Sequence, residues 1–236
     1  MGVLIQDTGR GGKQTWARDD VVAGRADGII LSPFDTPPET IPYHCSAREC
    51  IALVRDRGGR AFWDPSTHGA INLGSDDFSI YDRWRMFAPG SRSLSSPADI
   101  NAHTARCVDV QRDLAVPVVA PTVIVGGAES PEADLAVELA EATLGRAGDA
   151  LIHLVVTPDL LASGAKLDAH VSRLADMQPT GWMLSVMRAV STYPVVPAAR
   201  EIEGYCRTIY SLTFSGPVIL GHADLAGLPG IAAGAS

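Results

Sequence analysis

Lysine is nearly missing from this chain. Lys13 and Lys166 are the only two, so of 19 basic side chains 17 are arginines. Any chemistry through a lysine Schiff base therefore has two candidate amines. Positive charge is in deficit overall: the formal net charge is −8. That excludes broad electrostatic binding of nucleic acid, which needs a basic face. No apolar run approaches the roughly 20 residues that span a bilayer. The first residues also lack the charged-then-apolar layout of a secretion signal. The expectation is a soluble, cytoplasmic protein with no membrane partner. Cysteine is sparse too. Cys45, Cys50, Cys107 and Cys206 are scattered, with no C-x-x-C pair, and are expected to be free thiols. Nucleotide-binding glycine motifs are also missing. There is no G-x-G-x-x-G, and "GRGGK" at residues 9–13 fails the P-loop spacing.

What the chain does have is a series of short Val/Ile/Leu runs, each followed by a turn and a helix-like stretch. In order they are "GVLIQDTG", "ADGIILSPFDTP", "RAFWDPSTHG", "VPVVAPTVIVGG", "DALIHLVVTPD", "TGWMLSVMR" and "GPVILGHADL". Continuous apolar runs without polar alternation suit strands covered on both faces, as in parallel sheets. Helix starts lie between them. Ser46 and Glu49 form a capping box, and Ser96-Pro97 and Ser130-Pro131 pair an N-cap serine with a proline at the first helical position. The alternation predicts an α/β fold, a (β/α)8 TIM-barrel-like single domain over residues 1–236. About seven βα units are recognisable, and the eighth is shortened or missing, or the chain is a shortened form. A doubly wound parallel sheet is the alternative.

One segment breaks the rhythm. Residues 70–95 separate the third strand from its helix by more than the roughly 12–15 residues at which loops tend to become functional or disordered. The segment carries Phe78, Tyr81, Trp84 and Phe87 among charged residues. It reads either as a lid or as an insertion that packs against the body, contacts a second subunit or binds a partner protein.

Barrel active sites gather at the carboxyl ends of the strands. The residues at or just past those ends are Asp7, Asp35, Asp64, Thr122, Asp159, Arg188, His222 and Asp224. Asp64, fixed by Pro65 and followed by His68, is the leading catalytic candidate, with Asp35, Asp7 and His222 beside it. Arg188, His68, Asp224 and Thr122 are candidate substrate-binding residues. Each aspartate also has a structural reading, as an Asx turn or a helix-dipole partner. Paired carboxylates serve acid/base or nucleophilic chemistry at a glycosidic or nucleoside centre. The same pair can instead hold Mg²⁺ for phosphate chemistry. No feature is specific to a flavin. The expected function is hydrolysis or group transfer on a small polar or anionic substrate, and the alternative is a non-catalytic scaffold or partner-binding subunit. His153, inside an apolar run, and His103, on the third helix, read as core histidines. "HCSAREC" reads as a helix start rather than a zinc site, because no second ligand pair follows.

Overall fold

The computed structural model describes residues 4–7, 19–72, 79–88, 92–188, 196–221 and 227–235. The chain divides into two compact units, Met1–Val119 and Ala120–Ser236.

The first unit is built on a three-stranded parallel sheet in the order β1 (Leu4–Asp7), β2 (Gly28–Leu31), β3 (Arg60–Trp63). Its register aligns Asp7, Leu31 and Trp63. Gly28 sits where β2 runs closest to β3, and a Cβ there would collide with the Arg60 carbonyl. Helix α1 (Ala47–Arg55) covers the sheet. It starts on the expected capping box: Ser46 Oγ accepts from Glu49 N at 3.3 Å, and Ser46 N donates to Glu49 Oε2 at 2.8 Å. A second short helix, α2 (Thr67–Asn72), follows β3 directly. A 3-10 turn (Tyr81–Trp84) comes next, then the long helix α3 (Pro97–Asp113), capped by Ser96.

The described part of the 70–95 segment is packed, not hinged. Tyr81, Trp84 and Met86 are buried in the core of this unit with Ile29, Leu31, Trp63 and Cys107. Trp84 lies 5.1 Å from Trp63 between ring centroids, and Tyr81 4.8 Å from Phe34. Each such aromatic pair adds about 0.5–1.5 kcal/mol beyond its area. Side chains buried this way act neither as a lid nor as contact anchors, and the packing alternative holds for them. Phe78 lies outside the described residues.

The second unit holds a four-stranded parallel sheet, β4 (Ile124–Val125), β5 (Leu151–Val156), β6 (Gly181–Val186) and β7 (Val218–Gly221), in that order. Its helices are α4 (Pro131–Leu144), α5 (Pro158–Leu161), α6 (Ala165–Ala175), α7 (Ala199–Thr213) and the five-residue α8 (Leu228–Ala232). Ser130 caps α4 and Thr157 caps α5, each followed by proline at the first helical position. Asp159 falls in the first turn of α5, where it meets the helix dipole. All six residues of β5 are buried, which explains the unbroken apolar run.

The fold is α/β and TIM-barrel-like in its winding. Within each of the two sheets the strands pair in parallel in sequence order, and neither sheet contains the reversal of strand order that defines a doubly wound fold. Seven strands are present, and no eighth appears among the described residues. No helix of the described residues is long and apolar enough to cross a membrane.

Candidate functional site

β3 ends at Trp63, and Asp64 N continues the ladder by donating to Leu31 O at 2.9 Å. Pro65 then blocks further pairing, because it has no N–H to give. The chain turns sharply at Ser66, which is buried and adopts a left-handed conformation (φ 49°) that few non-glycine residues take. The Asp64 carboxylate holds this turn. Its Oδ1 accepts from Ser66 N at 2.9 Å, and its Oδ2 accepts from Ser66 Oγ at 3.2 Å.

Ser66 Oγ also lies 3.2 Å from Ser32 Oγ, the first residue past β2. Because the Ser66 proton is directed at Asp64, Ser32 is the donor in that contact. A line of hydroxyls thus runs from Ser32 through Ser66 to a buried carboxylate. His68, in the first turn of α2, is buried too, and one of its ring nitrogens lies within 4.8 Å of an Asp64 carboxylate oxygen.

A layer beneath supports the turn. Tyr81 Oη donates to Pro65 O at 3.3 Å. Burial pushes the Tyr81 phenol well above its ordinary value, with the neighbouring Cys107 and the Asp64 charge adding to the rise. His103 Nδ1 lies 3.0 Å from Met86 O. A carbonyl can only accept, so this nitrogen carries the proton. Nε2 is therefore the acceptor from Thr67 Oγ1, 2.9 Å away. Burial lowers His103 to about 4, so the ring is neutral at pH 7.

The other expected residues fall out as follows. Asp7 closes β1, its backbone level with Leu31 and Trp63. Asp35 is not the strand-end residue of β2. That place belongs to Ser32, and Asp35 lies in the turn beyond, half-buried, its carbonyl accepting from His44 Nδ1 at 3.1 Å. The strand register therefore sets a serine, not a second carboxylate, beside Asp64. Thr122 is corrected: it precedes β4 instead of following it, and its hydroxyl donates to Val123 O at 3.4 Å. The run "VPVVAPTVIVGG" looked like one long strand, but its two prolines leave only Ile124–Val125 in the sheet. Arg188 lies just past β6 and forms an ion pair with Glu201 of α7 rather than with an aspartate at a strand end. His222 and Asp224 lie outside the described residues. His153 is buried in β5, with Nε2 2.9 Å from Ser185 Oγ, and His103 is buried in α3, both as the core readings expect. All four cysteines are free thiols.

Sequence reasoning missed Ser32, Ser66 and Thr67. The three consecutive polar residues after Pro65 were a visible signal. Their contacts were not, because Ser32 is 34 residues from Ser66, and Thr67 36 residues from His103.

No protein-family model matches the chain, and no curated protein matches it in sequence. Among solved structures it is similar to a D-allulose 3-epimerase from Methylomonas sp., with 12% identity, 94% of this chain and 72% of that one covered, and a TM-score of 0.42. A crystal structure of that epimerase with D-allulose gives 12% identity, coverage of 93% and 83%, and a TM-score of 0.41. A psychrophilic glycoside hydrolase family 10 endo-beta-1,4-xylanase gives 14% identity, coverage of 92% and 72%, and a TM-score of 0.46. Superpositions this loose assign no residue and no reaction to the chain.

Proposed function

We propose that the chain is an enzyme that catalyses hydrolysis or group transfer on a small polar substrate, with Asp64 at its centre. The observation that carries the reading is the buried Asp64 carboxylate at the carboxyl end of β3, held by a strained Ser66 and accompanied by His68 within 4.8 Å. Strained backbone and buried carboxylates concentrate where chemistry is done. In this reading Asp64 takes a proton from the attacking water or hydroxyl, or stabilises positive charge developing at a glycosidic carbon. His68 returns a proton to the leaving group. The Ser32–Ser66 line orients the Asp64 carboxylate. Tyr81 and the Thr67–His103 contact keep the Asp64–His68 segment in place.

The sequence positions of Asp7, Asp35 and His222 make them the proposed additional groups, with Arg188 and Asp224 as the proposed contacts to an anionic substrate. Mg²⁺ takes oxygen ligands in octahedral geometry, and the group next to Asp64 is an imidazole. The donors at this position therefore suit a magnesium site poorly, and the proton transfers proposed here need no magnesium.

The test is a turnover panel of aryl glycosides, nucleosides and aryl phosphate esters, each run with and without Mg²⁺. The expected result is turnover of one class by the wild type and a loss of at least about 100-fold in His68→Asn. Turnover of none of these classes would sink the reading and leave a non-catalytic scaffold.

A further inference from the structure

On the far side of Thr67 from the Asp64 turn, within reach of the Asp64 charge, the first unit brings three soft donors together in its core. Cys107 Sγ lies 3.8 Å from Met86 Sδ and 3.6 Å from His103 Nε2. His103 and Cys107 are four residues apart on α3, so they share a helix face. Met86 comes from the segment that packs onto that face. All three are buried, at 0%, 1% and 2% exposure for Cys107, Met86 and His103. We propose that Met86, His103 and Cys107 form a binding site for a monovalent soft metal ion, Cu(I).

Three observations support it. The first is spacing. A metal about 2.3 Å from each sulfur and about 2.0–2.1 Å from the nitrogen, at tetrahedral angles, holds N and S about 3.6 Å apart and two sulfurs about 3.8 Å apart. Cys107 Sγ already stands at those separations from Met86 Sδ and from His103 Nε2. The second is ligand presentation. Met86 O fixes the proton on His103 Nδ1, so Nε2 is the unprotonated nitrogen; it accepts from Thr67 Oγ1 and has Cys107 Sγ 3.6 Å away. A metal-binding histidine is commonly oriented in this way, through a hydrogen bond on its other nitrogen. Phe87, stacked on the His103 ring at 4.2 Å, holds the ring plane.

The third is charge. One thiolate and one monovalent ion sum to zero, which an apolar core tolerates. Thioether and thiolate together also select Cu(I) over harder ions. On binding, the Cys107 S–H proton leaves to solvent, sulfur–metal and nitrogen–metal bonds form, and copper stays in the +1 state. The Thr67 hydroxyl gives up its hydrogen bond to Nε2 and turns to Tyr81 beside it.

The test is an anaerobic competition for Cu(I) against bicinchoninate, with copper added to the native protein and, separately, during refolding from urea. One copper per chain is expected, with a raised melting temperature in the loaded protein. Met86→Leu, which keeps the volume, should weaken binding at least about tenfold, and Cys107→Ser should weaken it further. Cys45→Ser/Cys206→Ser should bind as the wild type does. X-ray absorption should show two sulfurs and one nitrogen, falling to one sulfur in Met86→Leu. Failure to load by either route would overturn the proposal. So would loading that is indifferent to Met86 and Cys107 but lost with Cys45 and Cys206. Loading releases the Thr67–His103 contact that the catalytic reading uses, but none of these copper readouts depends on turnover.

Discussion

Acidification should destabilise the second unit through one residue, His170. It lies on α6, fully buried, with neither ring nitrogen hydrogen-bonded. Burial holds it down to about 4, from an ordinary 6.5; the nearby Arg173 lowers it further, and Asp134 partly opposes this. The neighbouring helices contribute two ion pairs: Arg173 with Asp134 of α4 at 3.0 Å, and Arg207 of α7 with Asp168 at 3.0 Å. In the unfolded chain the imidazole takes a proton as pH falls through about 6.5. In the folded chain it stays neutral until about 4. Stability is therefore fully present above pH 6.5 and is lost progressively as pH falls toward 4. The loss amounts to about 2 kcal/mol at pH 5 and about 3 kcal/mol at the lower end of that window. Glu49 and Glu132, both held below their ordinary 4.5, begin to contribute only at lower pH. The assay is urea unfolding at pH 7 and pH 5 for the wild type and His170→Leu. Leucine removes the titrating ring and two unsatisfied buried nitrogens, so it should cost little at pH 7. It should also reduce the loss between pH 7 and pH 5 by about 2 kcal/mol, leaving the part contributed by His103. An unchanged pH dependence in His170→Leu would refute the argument.

Two further predictions concern the same unit. Arg188→Met removes the partner of Glu201, whose side chain is 8% exposed, and leaves a buried carboxylate uncompensated. A loss of about 3–5 kcal/mol is expected in thermal unfolding, largely relieved by adding Glu201→Gln. A negligible loss would contradict this reading of the ion pair. Gly204→Ala should destabilise by at least about 2 kcal/mol, because the added Cβ on α7 would strike the Leu161 backbone; a melting temperature equal to that of the wild type would contradict this packing.

Much of the architecture was legible because it rests on local signals. The apolar runs located all seven strands, and Ser46, Ser96 and Ser130 marked three helix starts at the residue. What was lost depended on distant contacts. Pro117 and Pro121, both ahead of Thr122, shortened β4 and left that residue at the wrong end of its strand. The aromatics of the 70–95 segment looked available for a lid until Trp63 and Phe34 were seen packed against them. Arg188 chose a glutamate on the following helix over an aspartate at a strand end. Asp64 could be picked out because Pro65 fixes its position, but its partners Ser32 and His103 come from elements far away in sequence.

The central claim is that the Asp64 carboxylate does chemistry as well as hold a turn. Asp64→Asn separates the two roles, since the amide oxygen can still accept from Ser66 N while the ionised group is gone. The direct measurement is turnover and equilibrium unfolding on one preparation of this variant. The account predicts a loss of turnover of at least about 100-fold with stability changed by no more than about 2 kcal/mol. Turnover equal to that of the wild type would contradict it and leave Asp64 as a structural cap.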